Sequence, residues 1–330
     1  MNDSFFMQLA INEAWKYQLL TYPNPAVGAV VVKDGTLLSI EAHQKAGTSH
    51  AEVLALLGAY EKITQKSIDF DRFDAYMAHK FLRALPKGFF ENCEIYVTLE
   101  PCSHEGKTPS CASLLSVLNL KRVIIATKDP IKGHDNGSDI LANVTIGVKE
   151  DRALKLLEPF LIWQERAFVL FKLAQSTNAR IGGGYLSSKE SLIHTHKLRA
   201  VSSKMLIGGN TVRVDRPTLD CRFIDAKAPD IYIYTRSDDL DRDIALFGVE
   251  SRDVKLGDDL SFLQKPSFVL VEGGEGMLQA MAKKIDWMLF YQTPKLSCNN
   301  LTYNIDMDLE FLHIDKNDID LMIWSKNLGN

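Results

Sequence analysis

The chain of 330 residues is 46% hydrophobic and 24% charged, which is ordinary for a soluble globular protein and long enough for two domains. Its net charge of −4 and pI of about 6.1 disfavour a nucleic-acid-binding protein, because such proteins usually carry a basic excess. No run reaches the ~18 apolar residues of a membrane span. The first residues lack the basic-then-apolar pattern of a signal peptide and the number of cysteines is odd, so we expect a cytoplasmic protein with reduced thiols.

The first half of the chain begins with a helix and a strand hairpin. Apolar spacing predicts a helix over residues 4–19, followed by an apolar strand over residues 26–32. Asp34-Gly35 is a hairpin turn signal that leads into a second strand, 36–42. The segments that follow are helix 50–62, strand 94–100, helix 111–120, strand 122–127 and strand 143–148. This order predicts a three-layer α/β domain, with helices covering a sheet.

Residues 63–90 interrupt this order. The segment is mixed in charge and rich in aromatic residues, and we interpret it as an insertion that packs on the surface or at a subunit contact. A helix over residues 150–166 closes the first domain or links it to the next. We therefore place one domain at residues 1–166 and a second at residues 167–330.

The second half again alternates strands and helices. Apolar runs predict strands at 168–174, 204–209, 230–235, 267–274 and 286–292, and helical spacing covers 188–202 and 276–284. The pattern predicts a second α/β domain.

The first chemistry-bearing pattern combines one histidine with two cysteines. His50 and Glu52 stand in the run His-Ala-Glu, and Cys102 and Cys111 bracket a polar loop. One imidazole and two thiolates supply three zinc ligands and leave a fourth position open for a water whose pKa zinc lowers toward neutrality. A carboxylate beside the metal can carry the protons of a hydrolytic deamination, and Glu52 is the candidate. His104, between the cysteines, is an alternative ligand, but His50 is preferred because it brings Glu52 with it.

The predicted elements support this metal site. Cys102 follows the carboxyl end of a strand, where α/β sheets place their sites. Cys111 and His50 each stand at the start of a predicted helix, whose dipole favours a thiolate or an anionic intermediate. Each motif alone is common by chance, whereas their order and placement together favour a function.

Two glycine-containing turns suggest a phosphate site in the second half. Residues 271–276 read as a strand, a glycine turn and a helix start, and residues 207–211 form a second turn of this kind. Backbone N–H groups of such turns can approach a phosphate, although most such turns are structural. Arg199 and Arg222 are candidates for a bidentate clamp on a sugar phosphate. The alternative is a solvated helix face and a salt bridge in a loop.

The sequences HAE at 50–52 and VTLEPCSHEGKTPSC at 97–111 closely resemble the bifunctional riboflavin-biosynthesis deaminase/reductase family. Cytidine-type deaminases have Pro-Cys-x-x-Cys, whereas eight residues separate the cysteines here, a longer loop specific to the riboflavin branch. Supporting matches in the first half are Asn24-Pro25, Val27-Gly28, His43-Gln44, Ala46-Gly47 and Asp129-Pro130. Looser matches in the second half are Arg199-Ala200, Thr211-Val212, Asp215-x-Pro217-x-Leu219, Arg222 and 271–274.

The resemblance covers nearly the whole chain. It implies a cytidine-deaminase-like three-layer domain with zinc, followed by a dihydrofolate-reductase-like α/β domain with NADPH. The implied reactions are deamination of 2,5-diamino-6-ribosylamino-4(3H)-pyrimidinone 5′-phosphate and reduction of its ribosyl group to ribityl. The partner is therefore a small phosphorylated pyrimidine, without nucleic acid or membrane, and we expect a homo-oligomer.

The resemblance also assigns residues to roles. Zinc is bound by His50, Cys102 and Cys111, and Glu52 is catalytic. The substrate contacts are Asn24, His43, Lys107, Arg199, Leu219, Arg222 and Glu272. The cofactor contacts are Tyr185, Thr211, Asp215, Gly273, Gly274 and Gly276.

The second domain departs from the family pattern at residues 176–185. Ser176-Thr177-Asn178-Ala179-Arg180 stands where the family usually has Ser-Leu-Asp-Gly-Arg, the following glycine loop is short, and Tyr185 replaces a tryptophan. We therefore expect weaker NADPH binding than in a tryptophan-containing relative. One alternative is a deaminase whose second domain is a non-catalytic nucleotide-binding or oligomerisation module. Another is a deaminase of nucleic-acid bases, which the acidic pI disfavours.

Overall fold

The computed structural model describes residues 2–131, 136–182 and 186–329. It divides into two units, Met1–Leu161 and Ile162–Asn330. The helices are α1 Asp3–Trp15, α2 Ala51–Thr64, α3 Ala75–Arg83, α4 Cys111–Leu118, α5 Glu150–Glu165, α6 Lys189–Val201, α7 Gly209–Asp215 and α8 Glu275–Met281. None of the helices in this described part is long and apolar enough to cross a membrane.

The strands of the first unit are β1 Gly28–Lys33, β2 Thr36–Ala42, β3 Cys93–Val97, β4 Arg122–Ile125 and β5 Val144–Ile146. They form one sheet in the order β2-β1-β3-β4-β5, in which β1 is antiparallel to β2 and β3, and β3, β4 and β5 run parallel. Asp34 and Gly35 both have positive φ, as the predicted hairpin turn requires.

Helices cover both faces of this sheet, which confirms the predicted three-layer architecture. On one face, side chains of α2, α3 and α4 pack with Val31, Ile95 and Val97 in one buried cluster. On the other face, the ring of Phe6 from α1 lies 5.3 Å from the ring of Tyr96 on β3. Alternate residues of each strand thus point to opposite layers.

The insertion at residues 63–90, which we expected to pack on the surface or at a subunit contact, also contributes to the core of the first unit. Its helix α3 and the residues after it contribute Ala78, Leu82 and Phe90, all fully buried, to the same cluster as α2 and α4. Arg72 bridges Glu41 on β2 and Glu61 on α2 at 3.2 and 2.9 Å. The amphipathic spacing of α3 explains this placement, because one apolar stripe of the helix must be covered.

The strands of the second unit are β6 Ala167–Ser176, β7 Lys204–Gly208, β8 Ile231–Tyr234, β9 Val254–Gly257, β10 Ser267–Glu272, β11 Trp287–Thr293, β12 Leu309–Asn317 and β13 Asp320–Asn327. The sheet order is β12-β13-β11-β6-β10-β7-β8-β9. Strands β6 to β11 run parallel to one another, and the C-terminal hairpin β12–β13 adds antiparallel strands at the β11 edge. The carboxyl ends of β10 and β7 therefore lie together, each followed by a glycine turn and a short helix.

Candidate metal centre and reductase site

Three metal-ligating side chains meet in the first unit. Nδ1 of His50 lies 3.7 Å from Sγ of Cys102 and 3.5 Å from Sγ of Cys111, and the three atoms lie within 4.8 Å of one another. One imidazole nitrogen and two sulfurs at this spacing match the donor set of catalytic zinc sites, so these residues fit zinc. His104 is exposed on the intervening loop and is not part of the cluster.

Helix starts hold two of the three side chains. His50 is the N-cap of α2, and Cys111 is the first residue of α4, whose N-cap Ser110 accepts a hydrogen bond from the Ser113 amide. The Ser110 hydroxyl also donates to the Cys102 carbonyl at 2.8 Å, and the Cys111 amide donates to Sγ of Cys102 at 3.3 Å. Hydrogen bonds from Ser110 and Cys111 to Cys102 therefore join the two ends of the loop between the cysteines.

The surroundings of Cys102 favour its thiolate. A hydrogen bond from the Cys111 side chain, then bonds from His50 and from the Cys111 amide, lower the pKa of Cys102, although burial opposes this. The thiolate is the form that binds a metal.

A residue that the sequence did not suggest orients the histidine. Thr108 is buried, and its Oγ1 lies 3.1 Å from Nε2 of His50. In the tautomer that leaves Nδ1 free to bind a metal, Nε2–H donates to Thr108, which is how metal-bound histidines are usually oriented.

Glu52 lies in the first turn of α2, two residues after His50, and only 4% of its surface is exposed. Burial raises its pKa, and the charge of His50 opposes the rise only in part. A buried carboxyl group whose pKa is raised is a stronger proton acceptor than an ordinary carboxylate, which suits it to general acid–base catalysis.

Asn24 and His43 form a pair beside the cluster. Burial lowers the pKa of His43 to about 4, so the ring is neutral at pH 7. Its Nδ1 lies 3.2 Å from the Ser49 carbonyl and its Nε2 lies 3.1 Å from Nδ2 of Asn24, so Nδ1–H donates and Nε2 accepts. The rings of His43 and His50 are 5.1 Å apart, which places both predicted substrate residues next to the metal ligands. Lys107 is exposed on the loop between the cysteines.

Glu100, two residues before Cys102, forms hydrogen bonds with a second loop. The buried carboxylate of Glu100 accepts hydrogen bonds from the amides of Asp129 and Ser138 at 3.0 and 2.8 Å. A Cβ on Gly137 would stand 1.8 Å from the Pro101 carbonyl, so only glycine allows this approach.

The insertion reaches both sides of the metal cluster. The Ser49 amide, next to His50, donates to the Phe73 carbonyl at 3.1 Å. Arg83 at the end of α3 donates to Oγ of Ser113 on α4 at 2.7 Å. His79 lies between these points on the buried face of α3, and burial lowers its pKa to about 4. Sequence patterns alone did not single out this histidine.

In the second unit, a buried carboxylate lies between two cations at the end of β10. Glu272 accepts from Nε and Nη2 of Arg199 at 2.9 and 3.0 Å, and its carboxylate lies 3.0 Å from Nζ of Lys172. Burial alone would raise the pKa of Glu272, but the charges of Arg199 and Lys172 outweigh burial and hold it at about 2. Lys172 was missed because it stands inside an apolar strand run.

The two arginines that we predicted to bind phosphate, Arg199 and Arg222, both donate hydrogen bonds to Asp220. Arg199 donates to the Asp220 carbonyl at 3.2 Å, and Arg222 donates to the Asp220 carboxylate at 2.8 Å. Arg199 is partly buried against Glu272, whereas Arg222 is exposed. The Leu219 side chain is buried in the core, and the Leu219 carbonyl accepts a hydrogen bond from Arg252. A substrate would therefore contact Leu219 through its backbone amide.

Four of the predicted cofactor residues, Thr211, Gly273, Gly274 and Gly276, lie in or beside the turn between β10 and α8. A Cβ on Gly273 would stand 2.6 Å from Met277 and 3.8 Å from Oγ1 of Thr211, so the two turns are neighbours. A Cβ on Gly276 would meet nothing within 4 Å, which leaves that side of the turn open. These features fit a phosphate-bearing cofactor. Asp215 is exposed at the end of α7, and Tyr185, with Gly183 and Gly184, lies outside the described residues.

Two family models match the chain. Residues 1–127 match the cytidine and deoxycytidylate deaminase zinc-binding region, and residues 167–299 match the RibD C-terminal domain. Among solved structures, RibD of Acinetobacter baumannii is 27% identical with a TM-score of 0.65, over 98% of both chains. A Thermotoga maritima protein described as a diaminohydroxyphosphoribosylaminopyrimidine deaminase/5-amino-6-(5-phosphoribosylamino)uracil reductase is 26% identical with a TM-score of 0.66, again over 98% of both chains.

The chain belongs to the RibD family. Among curated members, riboflavin biosynthesis protein RibD of Aquifex aeolicus is 36% identical over 234 residues, which are 67% of this chain and 58% of that protein. The Haemophilus influenzae protein of the same name is 34% identical over 67% of this chain and 55% of its own length. The match thus spans little more than half the length of these curated relatives. Zinc and NADPH are the cofactors of the two RibD domains.

The departure from the RibD pattern at residues 176–180 has a defined structure. Ala179, where RibD members usually have glycine, has a φ of 57°, in the left-handed region. Asn178, where they usually have aspartate, accepts from the Ser176 hydroxyl at 2.7 Å. A hydrogen bond between two side chains of the segment, Ser176 and Asn178, therefore stabilises its conformation.

Proposed function

We propose that the chain catalyses two consecutive reactions of riboflavin biosynthesis. In the first, 2,5-diamino-6-ribosylamino-4(3H)-pyrimidinone 5′-phosphate and water give the deaminated pyrimidine and ammonia. In the second, the ribosyl group is reduced to ribityl at the expense of NADPH. The observation that carries the proposal is the cluster of His50, Cys102 and Cys111 with Glu52 beside it, in one chain with a RibD reductase domain.

Zinc, when bound by His50, Cys102 and Cys111, supplies a Lewis acid that makes water a nucleophile at neutral pH. Glu52 takes one proton from the water and delivers it to the ring nitrogen as the C–O bond forms. It then carries the remaining hydroxyl proton to the amine as the C–N bond breaks, so that ammonia leaves and a carbonyl group remains. Burial, which raises the pKa of Glu52, suits it to both steps. Asn24, held by neutral His43, orients the pyrimidine beside Glu52.

In the reductase domain, NADPH supplies the hydride that reduces the ribosyl carbon, and the protein supplies orientation. Arg199 and Lys172 keep Glu272 ionised, so its carboxylate is an acceptor for sugar hydroxyl groups. Arg222 and Lys107 are the exposed cations that we assign to the substrate phosphate in the two sites.

The deciding experiment follows ammonia release and NADPH oxidation by the purified, zinc-loaded chain on the pyrimidine substrate. Glu52→Gln should keep zinc but lose ammonia release by about 10²–10⁴-fold, and it should still oxidise NADPH when given the deaminated intermediate. Arg199→Ala should keep ammonia release but lose NADPH oxidation. Its retained ammonia release would show that the variant is folded.

A wild type that releases ammonia but never oxidises NADPH would leave a deaminase with a non-catalytic second domain. Near-normal ammonia release by Glu52→Gln would make Glu52 a bystander. A cytoplasmic location and a homo-oligomeric state remain predictions from the sequence.

A further inference from the structure

The connection between β11 and β12 is joined to the altered loop after β6. We call residues 295–304 the strap. The Thr177 amide donates to the Lys295 carbonyl at 2.8 Å. Asn178 pairs with the Ser297 backbone in both directions: its Oδ1 accepts from the amide at 3.0 Å, and its Nδ2 donates to the carbonyl at 2.9 Å.

The pairing continues along the strap. The Ile181 amide donates to the Leu301 carbonyl at 3.0 Å, and the Ile181 carbonyl accepts from Nδ2 of Asn299 at 3.0 Å. Oγ1 of Thr302 donates to the Ala179 carbonyl at 3.0 Å. These bonds hold Ala179 in its left-handed conformation, which an alanine adopts only when its surroundings impose it.

The far end of the strap is bound to the first turns of α8. The Asn304 amide lies 3.3 Å from Oε1 of Glu275, and Nε2 of Gln279 donates to the Asn304 carbonyl at 3.1 Å. The Ile181 side chain lies 4.0 Å from the position of a Cβ on Gly274. The strap thus spans from the altered loop to the glycine turn that fits the cofactor.

Asparagine is required for the two-way pairing with Ser297. An amide presents one donor and one acceptor, whereas an ionised aspartate presents acceptors only. Aspartate at residue 178 would accept from the Ser297 amide but would set a carboxylate oxygen against the Ser297 carbonyl. The change from the usual RibD aspartate therefore matches the partner that this chain provides.

We infer that Asn178 is a positioning residue of the reductase site, which acts through the strap to hold Ile181 and the Gly273-Gly274 turn in the geometry that binds NADPH. The inference rests on the proposed reductase function. It adds a determinant of NADPH affinity outside the glycine turn and explains why the departures at Asn178 and Ala179 occur together.

The test compares Asn178→Asp with Asn300→Asp, the same chemical change at an exposed position of the strap. In full-length, zinc-loaded protein, Asn178→Asp should speed hydrogen exchange at the amides of Thr177 and Ile181 about tenfold. The NADPH dissociation constant, from fluorescence titration, should rise about tenfold. Asn300→Asp should change neither, and NADPH should slow exchange of the same amides in wild type.

Thr302→Val removes one bond of the strap without adding charge, and it should shift both readouts in the same direction by less. It keeps the test decisive if Asn178→Asp does not fold. Faster exchange with unchanged NADPH affinity would overturn the inference, as would unchanged exchange. A wild type that binds no NADPH would instead overturn the reductase function, and the inference with it.

Discussion

At the scale of single residues, the deaminase centre depends on which atom each side chain presents. His50 directs Nδ1 to the two sulfurs and Nε2 to Thr108, while His43 directs Nδ1 to a backbone carbonyl and Nε2 to Asn24. One histidine is therefore oriented for a metal and the other for an amide. Their different hydrogen-bond partners set these roles, although both rings are largely buried.

Cys111→Ser should reduce bound zinc from about one per chain to a small fraction, because a neutral hydroxyl is a poor replacement for a thiolate ligand. Metal analysis of the purified proteins measures this. Cys298→Ser changes an exposed cysteine and should keep full zinc. Unchanged zinc in Cys111→Ser would remove Cys111 from the ligand set.

Lys107→Ala should raise the KM for the 5′-phosphorylated pyrimidine about tenfold and leave the KM for the dephosphorylated analogue unchanged. The reason is that an exposed lysine on the loop between the ligands contributes a charge and little packing. Lys80→Ala, an exposed lysine on α3, is the matched control. Equal losses with both substrates would contradict a phosphate contact.

At the scale of elements, two connections matter most. Helix α3 and its flanking residues join the ends of α2 and α4 that carry His50 and Cys111, through Ser49 and Ser113. In the second unit, the strap joins the loop after β6 to the start of α8. Each of these segments is long and irregular in sequence, yet each is bonded at both ends beside a site.

Ala179→Gly should stabilise the second unit by about 0.5–1 kcal/mol, since the left-handed conformation costs an alanine more than glycine loses in unfolded-state entropy. Denaturant unfolding of the variant and wild type measures the difference. Ala245→Gly, at an exposed position where φ is negative, should destabilise instead. A loss of stability in Ala179→Gly would show that the conformation is not strained.

At the scale of the whole molecule, charge is distributed unevenly. The acidic net charge of −4 coexists with a group of two partly buried cations and one buried carboxylate at the end of β10. Arg199 and Lys172 exceed Glu272 by one positive charge, so this group suits an anionic partner. Overall charge therefore did not reveal this feature.

Glu272→Gln should destabilise the protein by about 3 kcal/mol at pH 7, because it leaves two partly buried cations without their carboxylate. The folded-state pKa is about 2, below the ordinary value of 4.5, so the carboxylate's contribution is fully present above pH 4.5 and is lost as the pH falls toward 2. The gap in unfolding free energy between wild type and variant should thus be constant from pH 7 to 5 and then narrow. A gap that widens in acid would contradict the depressed pKa.

The sequence by itself predicted the three-layer first domain and gave the zinc ligands as a hypothesis, because strand and helix patterns and ligand types are local properties. The family followed from the resemblance of residues 50–52 and 97–111 to known motifs. It also predicted that Glu52 follows a ligand into the first turn of a helix. It did not predict β9 or the β12–β13 hairpin, since these strands lack a continuous apolar run.

Only the tertiary structure decided which distant residues meet. Thr108 reaches His50, Lys172 reaches Glu272, and Phe73 of the insertion reaches Ser49, although no spacing rule connects these pairs. The strap pairs residues more than a hundred positions apart, Asn178 with Ser297. Hydrogen bonds between segments so far apart in sequence depend on how the sheets are ordered, and that order follows from burial of whole faces rather than from any local pattern.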